Sequence, residues 1–316
     1  MIKTEHFTYP SADGKTTIHA MRWIPEGEIT AILQIVHGML EFIERYDDFA
    51  TWLAERGFLV VGNDHLGHGD SLTCEEERGY FADKVPDRTV LMDMRELHRM
   101  TEREYPDLPY FMLGHSMGSF LAQYYLCCYG KRLDGAIISG TGYHSKPEAG
   151  FGMSLCKGIA RRKGWHYRSS FVNKLVMGSM NKRFEPARTP CDWLSRDQAV
   201  VDAYIADYRT RFVFTLNAFY GMFHTLSVIA DDKELGKIPV TLPVLFISGE
   251  LDPVGNFGAG VKKTLAKYAS VGIRDVQCRI YPNDRHEILN ELDKEDVYKD
   301  VERWMREKIR KGGSRS

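Results

Sequence analysis

Short apolar runs that alternate with helical patterns constrain the fold of this chain more than any other feature of its sequence. Each run is four to six residues long and ends in turn residues, and most of the stretches between them carry apolar side chains at helical spacing. The runs occupy residues 31–36, 58–61, 110–113, 136–139, 244–248 and 276–281. Strands that are joined through helices lie parallel and are covered on both faces. The sequence therefore predicts an α/β fold built on a mostly parallel sheet with helices on both faces.

The alternation is interrupted once. Between residues 139 and 243 about a hundred residues show no strand-helix alternation, which is too long for a connector. We therefore expect a core domain formed by residues 1–140 and 243–316, and a helical insertion at residues 141–242, here called the cap segment. Within it, the string Ser195-Arg196-Asp197-Gln198 predicts a capping box for a helix at 200–206, and residues 212–223 predict a strongly apolar helix.

Composition excludes several classes of protein. The 42 Lys and Arg residues balance 43 Asp and Glu residues, so a uniformly basic nucleic-acid binder is not expected. The apolar runs fall well below the roughly 18 residues that a membrane-spanning helix needs. Residues 1–10 lack the apolar stretch of a secretory signal, and the six cysteines are scattered as free thiols would be. We expect a soluble, cytoplasmic protein that binds no nucleic acid.

Charge is unevenly distributed along the cap segment. Between residues 146 and 188 ten basic residues stand against two acidic ones, which leaves this stretch at +8. Aromatic residues are interleaved with these charges: Phe151, Trp165, Tyr167 and Phe171. This pattern is typical of a surface that contacts an anionic membrane or a phosphorylated substrate. The alternative is a solvated face whose charge is balanced by acids elsewhere on the fold.

Motifs for metals and nucleotide cofactors are missing from the sequence. It has no C-x-x-C, no H-E-x-x-H and no G-x-x-x-x-G-K-[ST] string. His65 and His68 are spaced like ligands, but they lie in a glycine-rich turn where a local structural role suits them better. We expect neither a metal nor an organic cofactor.

A G-x-S-x-G string at residues 114–118 predicts a nucleophile at Ser116. It falls between a predicted strand and a predicted helix, the context in which this motif forms a strained turn that exposes the serine oxygen. Gly114 and Gly118 supply the small residues that such a turn needs two positions to either side. The helix that follows directs backbone N–H groups towards the space beside Ser116, where an oxyanion would develop.

A serine hydroxyl needs a base within reach, and the base needs a carboxylate to fix its tautomer. Functional groups of a parallel sheet gather at the carboxyl ends of its strands. Asp252 follows the strand at 244–248 and His286 follows the strand at 276–281, so the chain order is nucleophile, acid, base. Glu250 and Asp284 remain weaker candidates for the acid. The histidine must be neutral to act, so activity is expected to rise between about pH 6 and 7.5.

The oxyanion hole is expected from two backbone N–H groups. One belongs to Met117, directly after the nucleophile, and the other to Met39, in the loop after the strand at 31–36. Gly38 lets the backbone approach closely at this point. Losing one donor of this kind typically costs about 10²- to 10³-fold in rate.

These segments together resemble the α/β-hydrolase superfamily, and within it the monoacylglycerol lipase and lysophospholipase-like group related to serine aminopeptidases. The resemblance covers nearly the whole chain and is carried by residues 37–41 with 45–46, 64–71, 114–118, 249–253 and 285–287. It implies an eight-stranded type of sheet, a triad of Ser116, Asp252 and His286, and a cap over an acyl pocket. One departure is Phe42, where many relatives have a histidine.

The favoured hypothesis is a serine hydrolase that cleaves carboxylic esters of lipid type, with monoacylglycerol or lysophospholipid as substrate. An aminopeptidase or amidase of the same fold and a general short-chain carboxylesterase remain alternatives, because the triad is shared. A non-catalytic ligand-binding protein on this fold is a further alternative. Epoxide hydrolase and dehalogenase chemistry usually needs an aspartate where this chain has Ser116.

Overall fold

The computed structural model describes residues 2–313, in which eight strands form one sheet. The order across the sheet is β1-β2-β4-β3-β5-β6-β7-β8. The strands are β1 (Lys3–Pro10), β2 (Thr17–Ile24), β3 (Ala31–Val36), β4 (Phe58–Asn63), β5 (Tyr110–His115), β6 (Gly135–Ser139), β7 (Val244–Gly249) and β8 (Val276–Tyr281). All six predicted strands are present, some of them one or two residues longer.

Among the described strands, only β2 runs against the direction of the others. β1 pairs with β2 antiparallel and β2 pairs with β4 antiparallel, whereas every other pair is parallel. β3, β4, β5 and β7 are buried along their whole length, because helices cover both faces of the sheet. This is the mostly parallel α/β-hydrolase sheet that the resemblance implies.

Five helices of the core cover the sheet. Side chains of α1 (Asp47–Ala54) and α10 (Lys294–Gly313) pack on one face. Side chains of α2 (Pro86–Glu104), α3 (Met117–Tyr129) and α9 (Ala259–Ser270) pack on the other. The closing helix presents Val297, Val301 and Trp304 to the sheet, as its apolar spacing predicts.

The residues between β6 and β7 form helices and no strand of the described sheet. They are α4 (Lys146–Lys163), α5 (Ser170–Met177), α6 (Gln198–Ala206), α7 (Leu216–Ile229) and α8 (Asp232–Leu235). Side chains of α4, α5 and α7 join the same hydrophobic cluster as α2 and α3. The cap segment is therefore packed on the core through apolar contacts.

Two predicted helix starts in the cap segment are wrong. The predicted capping box at Ser195 does not form, because α6 begins at Gln198 and the side chain of Asp197 accepts from the N–H of Ala199. The apolar helix begins at Leu216 rather than at residue 212, since the side chain of Thr215 caps it. The described cap contains a capping box elsewhere, between Ser145 and Glu148 at the start of α4.

None of the helices between residues 2 and 313 combines the length and the apolar character that a bilayer span requires.

Candidate active site

Ser116 lies in a strained turn between β5 and α3. Its φ of 54° and ψ of −121° fall in a region that a residue with a side chain rarely adopts. Steric crowding explains the glycines on either side: a Cβ at Gly114 would overlap the carbonyl of Gly118, and a Cβ at Gly118 would overlap the carbonyl of Val36. The turn holds Ser116 half-buried at the cavity described below.

The loop after β3 lies directly against this turn. A Cβ placed on Gly38 would be 3.0 Å from the Cβ of Ser116, so only glycine permits the approach. Met39 follows Gly38, and Met117 is the first residue of α3, where the helix itself offers its N–H no acceptor. Both residues that are expected to supply the oxyanion donors, Met39 and Met117, line the same cavity as Ser116.

Asp252 and His286 form a buried pair. Nδ1 of His286 lies 2.9 Å from Oδ1 of Asp252, and the two residues are 2% and 0% exposed. The N–H of Val254 donates to the same Oδ1 at 2.8 Å, and the hydroxyl of Ser248 donates to Oδ2 at 3.3 Å. This places the carboxylate where it can fix the tautomer of the imidazole.

The Asp252 carboxylate also sets the pKa of His286. Burial pulls this pKa down, but the charge of Asp252 and its hydrogen bond outweigh burial, so the pKa lies above its ordinary value. An imidazolium that forms during a reaction is therefore stabilised.

The two weaker candidates for the acid have other partners. Glu250 accepts from the N–H of Asn283 at 3.1 Å, and Asp284 pairs with Arg196. Neither makes a hydrogen bond to His286 in the described structure.

The other histidines near the strand ends have structural roles. The N–H of His65 donates to Nε2 of His37 at 2.9 Å, and a ring nitrogen of His65 lies 3.1 Å from the carbonyl oxygen of His37. Burial lowers the pKa of His65 to about 3, that of His68 to about 4 and that of His115 to about 3. These rings are neutral at physiological pH, and the contacts between His37 and His65 tie the loops after β3 and β4 together.

A buried ionic cluster next to His286 was not predicted. Arg45 donates twice to Glu287, at 2.8 and 2.7 Å, and once to Glu41 at 3.0 Å. Glu41 also accepts from the N–H of Gly38 and, at 2.9 Å, from the hydroxyl of Tyr46. The i, i+4 spacing of Glu41 and Arg45 was a signal in the sequence, but nothing there indicated that Glu287 joins them.

The two carboxylates of this cluster differ in protonation. Burial raises the pKa of Glu41 to about 7, against the opposing effect of Arg45 and with a contribution from Glu287. Burial acts in the same direction on Glu287, but its bidentate pairing with Arg45 dominates and lowers its pKa to about 2. Near neutral pH the cavity therefore presents one fixed anion and one carboxyl group that can also donate a hydrogen bond.

These groups line a cavity of about 670 Å³ between the core and the cap segment. The core supplies the polar groups Glu41, Ser116, His286 and Glu287. The cap segment supplies apolar walls, which include Phe151, Leu175, Val176, Phe223 and Leu226. Five methionines also line it: Met39, Met117, Met177, Met180 and Met222. Among the described residues, no lysine or arginine is part of the lining.

The basic residues of the cap segment lie outside this cavity. All ten, between residues 146 and 188, are exposed. Two of them pair with acids of the cap segment itself: Lys146 with Asp231 at 2.5 Å and Arg188 with Asp202 at 2.6 Å. Two of the ten charges are therefore paired with acids that lie outside residues 146–188 but within the cap segment.

Two groups of side chains have the composition of a metal site. They are His19, Asp64 and Asp70, and Asp284, Glu291 and Asp293. In the first group, Asp64 already accepts from His19 and from the N–H groups of Ile43 and Asp70. In the second group, Arg196 forms ion pairs with Asp284 and Glu291. Protein groups thus supply the partners of both.

The chain matches one family model and is similar to proteins named as monoacylglycerol or monoglyceride lipases. Residues 27–293 match the family model described as serine aminopeptidase, S33. The chain is 26% identical to the monoacylglycerol lipase of Mycolicibacterium smegmatis over 287 residues, which cover 90% of each chain. It is 27% identical to the human monoglyceride lipase over 310 residues, which cover 97% of this chain and 92% of that protein.

Solved structures are similar over the same length. A thermostable carboxyl esterase from Bacillus coagulans, solved in complex with glycerol, superposes with a TM-score of 0.91 at 30% identity over 98% of this chain and 100% of that one. A monoglyceride lipase from Saccharomyces cerevisiae, solved with a substrate analogue, superposes with a TM-score of 0.77 at 17% identity, over 97% of this chain and 96% of that one.

Proposed function

Because the chain belongs to the serine aminopeptidase, S33, family of α/β-hydrolases, we propose that it hydrolyses carboxylic esters of lipid type through an acyl-enzyme on Ser116. The observation that carries the proposal is the cavity itself, which Ser116 and His286 line together with apolar walls of the cap segment, while the buried Asp252 bonds to His286. An acyl chain fits such walls, and an ester bond fits the polar groups beneath them.

The proposed reaction uses these groups in turn. The oxygen of Ser116 attacks the ester carbonyl while His286 takes its proton, and Asp252 stabilises the imidazolium. The N–H groups of Met39 and Met117 bind the oxyanion. His286 then protonates the leaving alcohol, and water activated by the same histidine hydrolyses the acyl-enzyme.

The charges in the cavity favour a neutral headgroup over a phosphate. The acidic residues that line it are Glu41, Glu148 and Glu287, and the nearby guanidinium of Arg45 is engaged by Glu41 and Glu287. A glycerol hydroxyl can donate to such carboxylates, whereas a phosphate would face them without a cation of its own. We therefore infer that monoacylglycerol is preferred to lysophospholipid.

A matched pair of substrates tests this preference. 1-Oleoylglycerol and 1-oleoylglycerol 3-phosphate differ only in the phosphate. Repulsion of several kcal/mol predicts a kcat/KM higher for the neutral ester by about 100-fold or more. The assays measure released oleate at substrate concentrations where both lipids are monomeric. Differences in lipid aggregation then do not affect the comparison. Equal values for the two substrates would contradict the assignment.

An aminopeptidase remains the second candidate, because carboxylates of Glu41 and Glu287 line the cavity and could hold a substrate ammonium. Arg45 already pairs with both, which weakens that role. Leucine p-nitroanilide and p-nitrophenyl butyrate separate the two functions. Faster turnover of the anilide would favour the peptidase, and faster turnover of the ester the lipase.

We also propose that the cap segment contacts an anionic membrane surface. Phe151, Phe171 and Leu175 are 65%, 62% and 52% exposed, and Phe151 and Leu175 line the cavity as well. Exposed basic residues flank them on α4 and α5, among them Lys157 and Lys174. Apolar side chains beside basic ones are typical of helices that lie in the membrane interface.

Phe171 offers a test that leaves the cavity lining intact. We expect Phe171→Ser to weaken binding to vesicles of phosphatidylcholine and phosphatidylserine by about 10-fold, because a buried Phe contributes about 1.5–3 kcal/mol. Met92→Ser on α2 is the control, since Met92 is 52% exposed but lies on the core. Sedimentation with the vesicles measures the binding of both variants. The proposal fails when the two variants bind as the unchanged protein does.

A further inference from the structure

The loop that carries His286 is attached to a segment of the cap. The N–H of His286 donates to the carbonyl of Trp193 at 3.3 Å, and the N–H of Glu287 donates to the carbonyl of Leu194 at 2.7 Å. The rings of Trp193 and His286 lie 4.9 Å apart between centroids. We call residues 191–196 the cap strap. The cap strap therefore packs directly against His286.

Arg196, at the end of the cap strap, donates four hydrogen bonds to this loop. Its Nε donates to Glu291 at 3.0 Å, and its Nη2 donates to Asp293 at 2.6 Å and to Asp284 at 2.5 Å. Its backbone N–H donates to the other oxygen of Glu291 at 3.0 Å. One guanidinium thus joins three carboxylates on both sides of His286 in sequence.

Arg285 makes the reciprocal contact from the loop to the cap strap. Its Nη1 donates to the carbonyls of Asp192 and Ser195, and its own N–H donates to Glu291 at 2.9 Å. Glu291 therefore accepts from Arg196 and Arg285 at once. The loop and the cap strap are bonded to each other in both directions.

We propose that Arg196 is a positioning residue for His286, and that the cap strap is a fixed part of the catalytic apparatus. The proposal rests on the proposed function, in which His286 is the base. Arg196 reaches His286 only through the loop, so it acts by fixing where the imidazole lies. Misplacing a reacting group by about 1 Å can cost about 100-fold in rate.

The charges explain why the loop needs this arginine. Asp284 is completely buried, and burial together with Glu291 and Asp293 raises its pKa to about 7, against the opposing effect of Arg196. Without Arg196, Glu291 and Asp293 lose the cation that they share with Asp284, and the pKa of Asp284 rises further. The loop would then relax away from the geometry that the cap strap imposes.

The expected result for Arg196→Ala is a fall in kcat of about 10- to 100-fold with KM little changed. The rate constant of labelling by a fluorophosphonate should fall by a similar factor, because labelling needs His286 but no particular substrate. Arg196→Lys, which keeps the charge, should recover most of both rates. p-Nitrophenyl butyrate serves as the soluble ester.

The pH profile gives a readout that a loss of folded protein would not move. Losing the positive charge of Arg196 stabilises the imidazolium, so the acid limb of kcat/KM should move to higher pH. The charged or titratable groups that face His286 are Asp252, Glu287, Glu41 and His115, and all of them remain in the variant. Labelling amplitude reports the fraction of active protein separately from the rate.

Arg188→Ala is the matched control, because Arg188 is an exposed arginine of the cap segment that pairs with Asp202 and not with the loop. We expect its rates to stay within about twofold of the unchanged protein. Wild-type kcat and pH profile in Arg196→Ala would overturn the proposal, as would an equal loss in the control. Labelling of Ser116→Ala would overturn the proposed function instead, so the two failures can be told apart.

Discussion

Replacing Ser116 by alanine is expected to lower kcat by about 10⁶-fold and to abolish labelling by a fluorophosphonate. The reason is that the covalent intermediate cannot form without the Ser116 oxygen. The fold should persist, because alanine occupies less space at the half-buried turn between β5 and α3. Thermal unfolding checks that the variant is folded, and mass spectrometry checks the labelling.

Ser179→Ala is the control for this experiment. Ser179 lines the same cavity but lies on the cap segment, away from the strained turn. It should be labelled and should turn over esters at rates within about twofold of the unchanged protein. Labelling that persists in Ser116→Ala would point to another nucleophile.

Asp252→Asn is expected to lower kcat by about 10⁴-fold while leaving the protein folded. The amide fills the same space but cannot hold the charge that stabilises the imidazolium, and it can stabilise the wrong tautomer of His286. Glu250→Gln is the control, because Glu250 is the alternative carboxylate after β7 and bonds to Asn283 instead. Full activity in Asp252→Asn, or an equal loss in Glu250→Gln, would reassign the acid.

The same substitution should change the pH dependence. His286 acts as a base when neutral, so activity rises with pH as its imidazolium loses a proton. Burial lowers the pKa of His286 and Asp252 raises it above the ordinary value of 6.5. The acid limb of the unchanged protein should therefore lie above pH 6.5. In Asp252→Asn the largest influence that raises this pKa is lost while burial remains, so the residual activity should show its acid limb at lower pH.

The strands were predictable where both faces are buried. β3 and β7 are continuous apolar runs because helices cover them on each side, and that pattern can be read from the sequence alone. β1 and β2 were missed because polar and apolar residues are mixed in them, and β1 is largely exposed. Only their pairing partners, at the edge of the sheet, identify them as strands.

Site residues could be predicted where a reactive side chain comes directly after a predicted strand. Ser116, Asp252 and His286 could be named as candidates because each follows a predicted strand, and they remain predictions for the experiments above. Pairing over long distances in sequence could not be predicted. Arg45 and Glu287 are 242 residues apart, and the hydroxyl of Ser195 donates to the carbonyl of Asn290 rather than capping a helix.

The five methionines that line the cavity affect both the breadth of substrates and the durability of the protein. Unbranched thioether side chains rotate about three bonds, so these walls can follow straight or kinked hydrocarbon without movement of the backbone. Met39, Met177 and Met180 are only partly buried, and oxidation turns such a thioether into a polar sulfoxide. Tolerance for acyl chains of different shape and sensitivity to peroxide therefore have one structural origin.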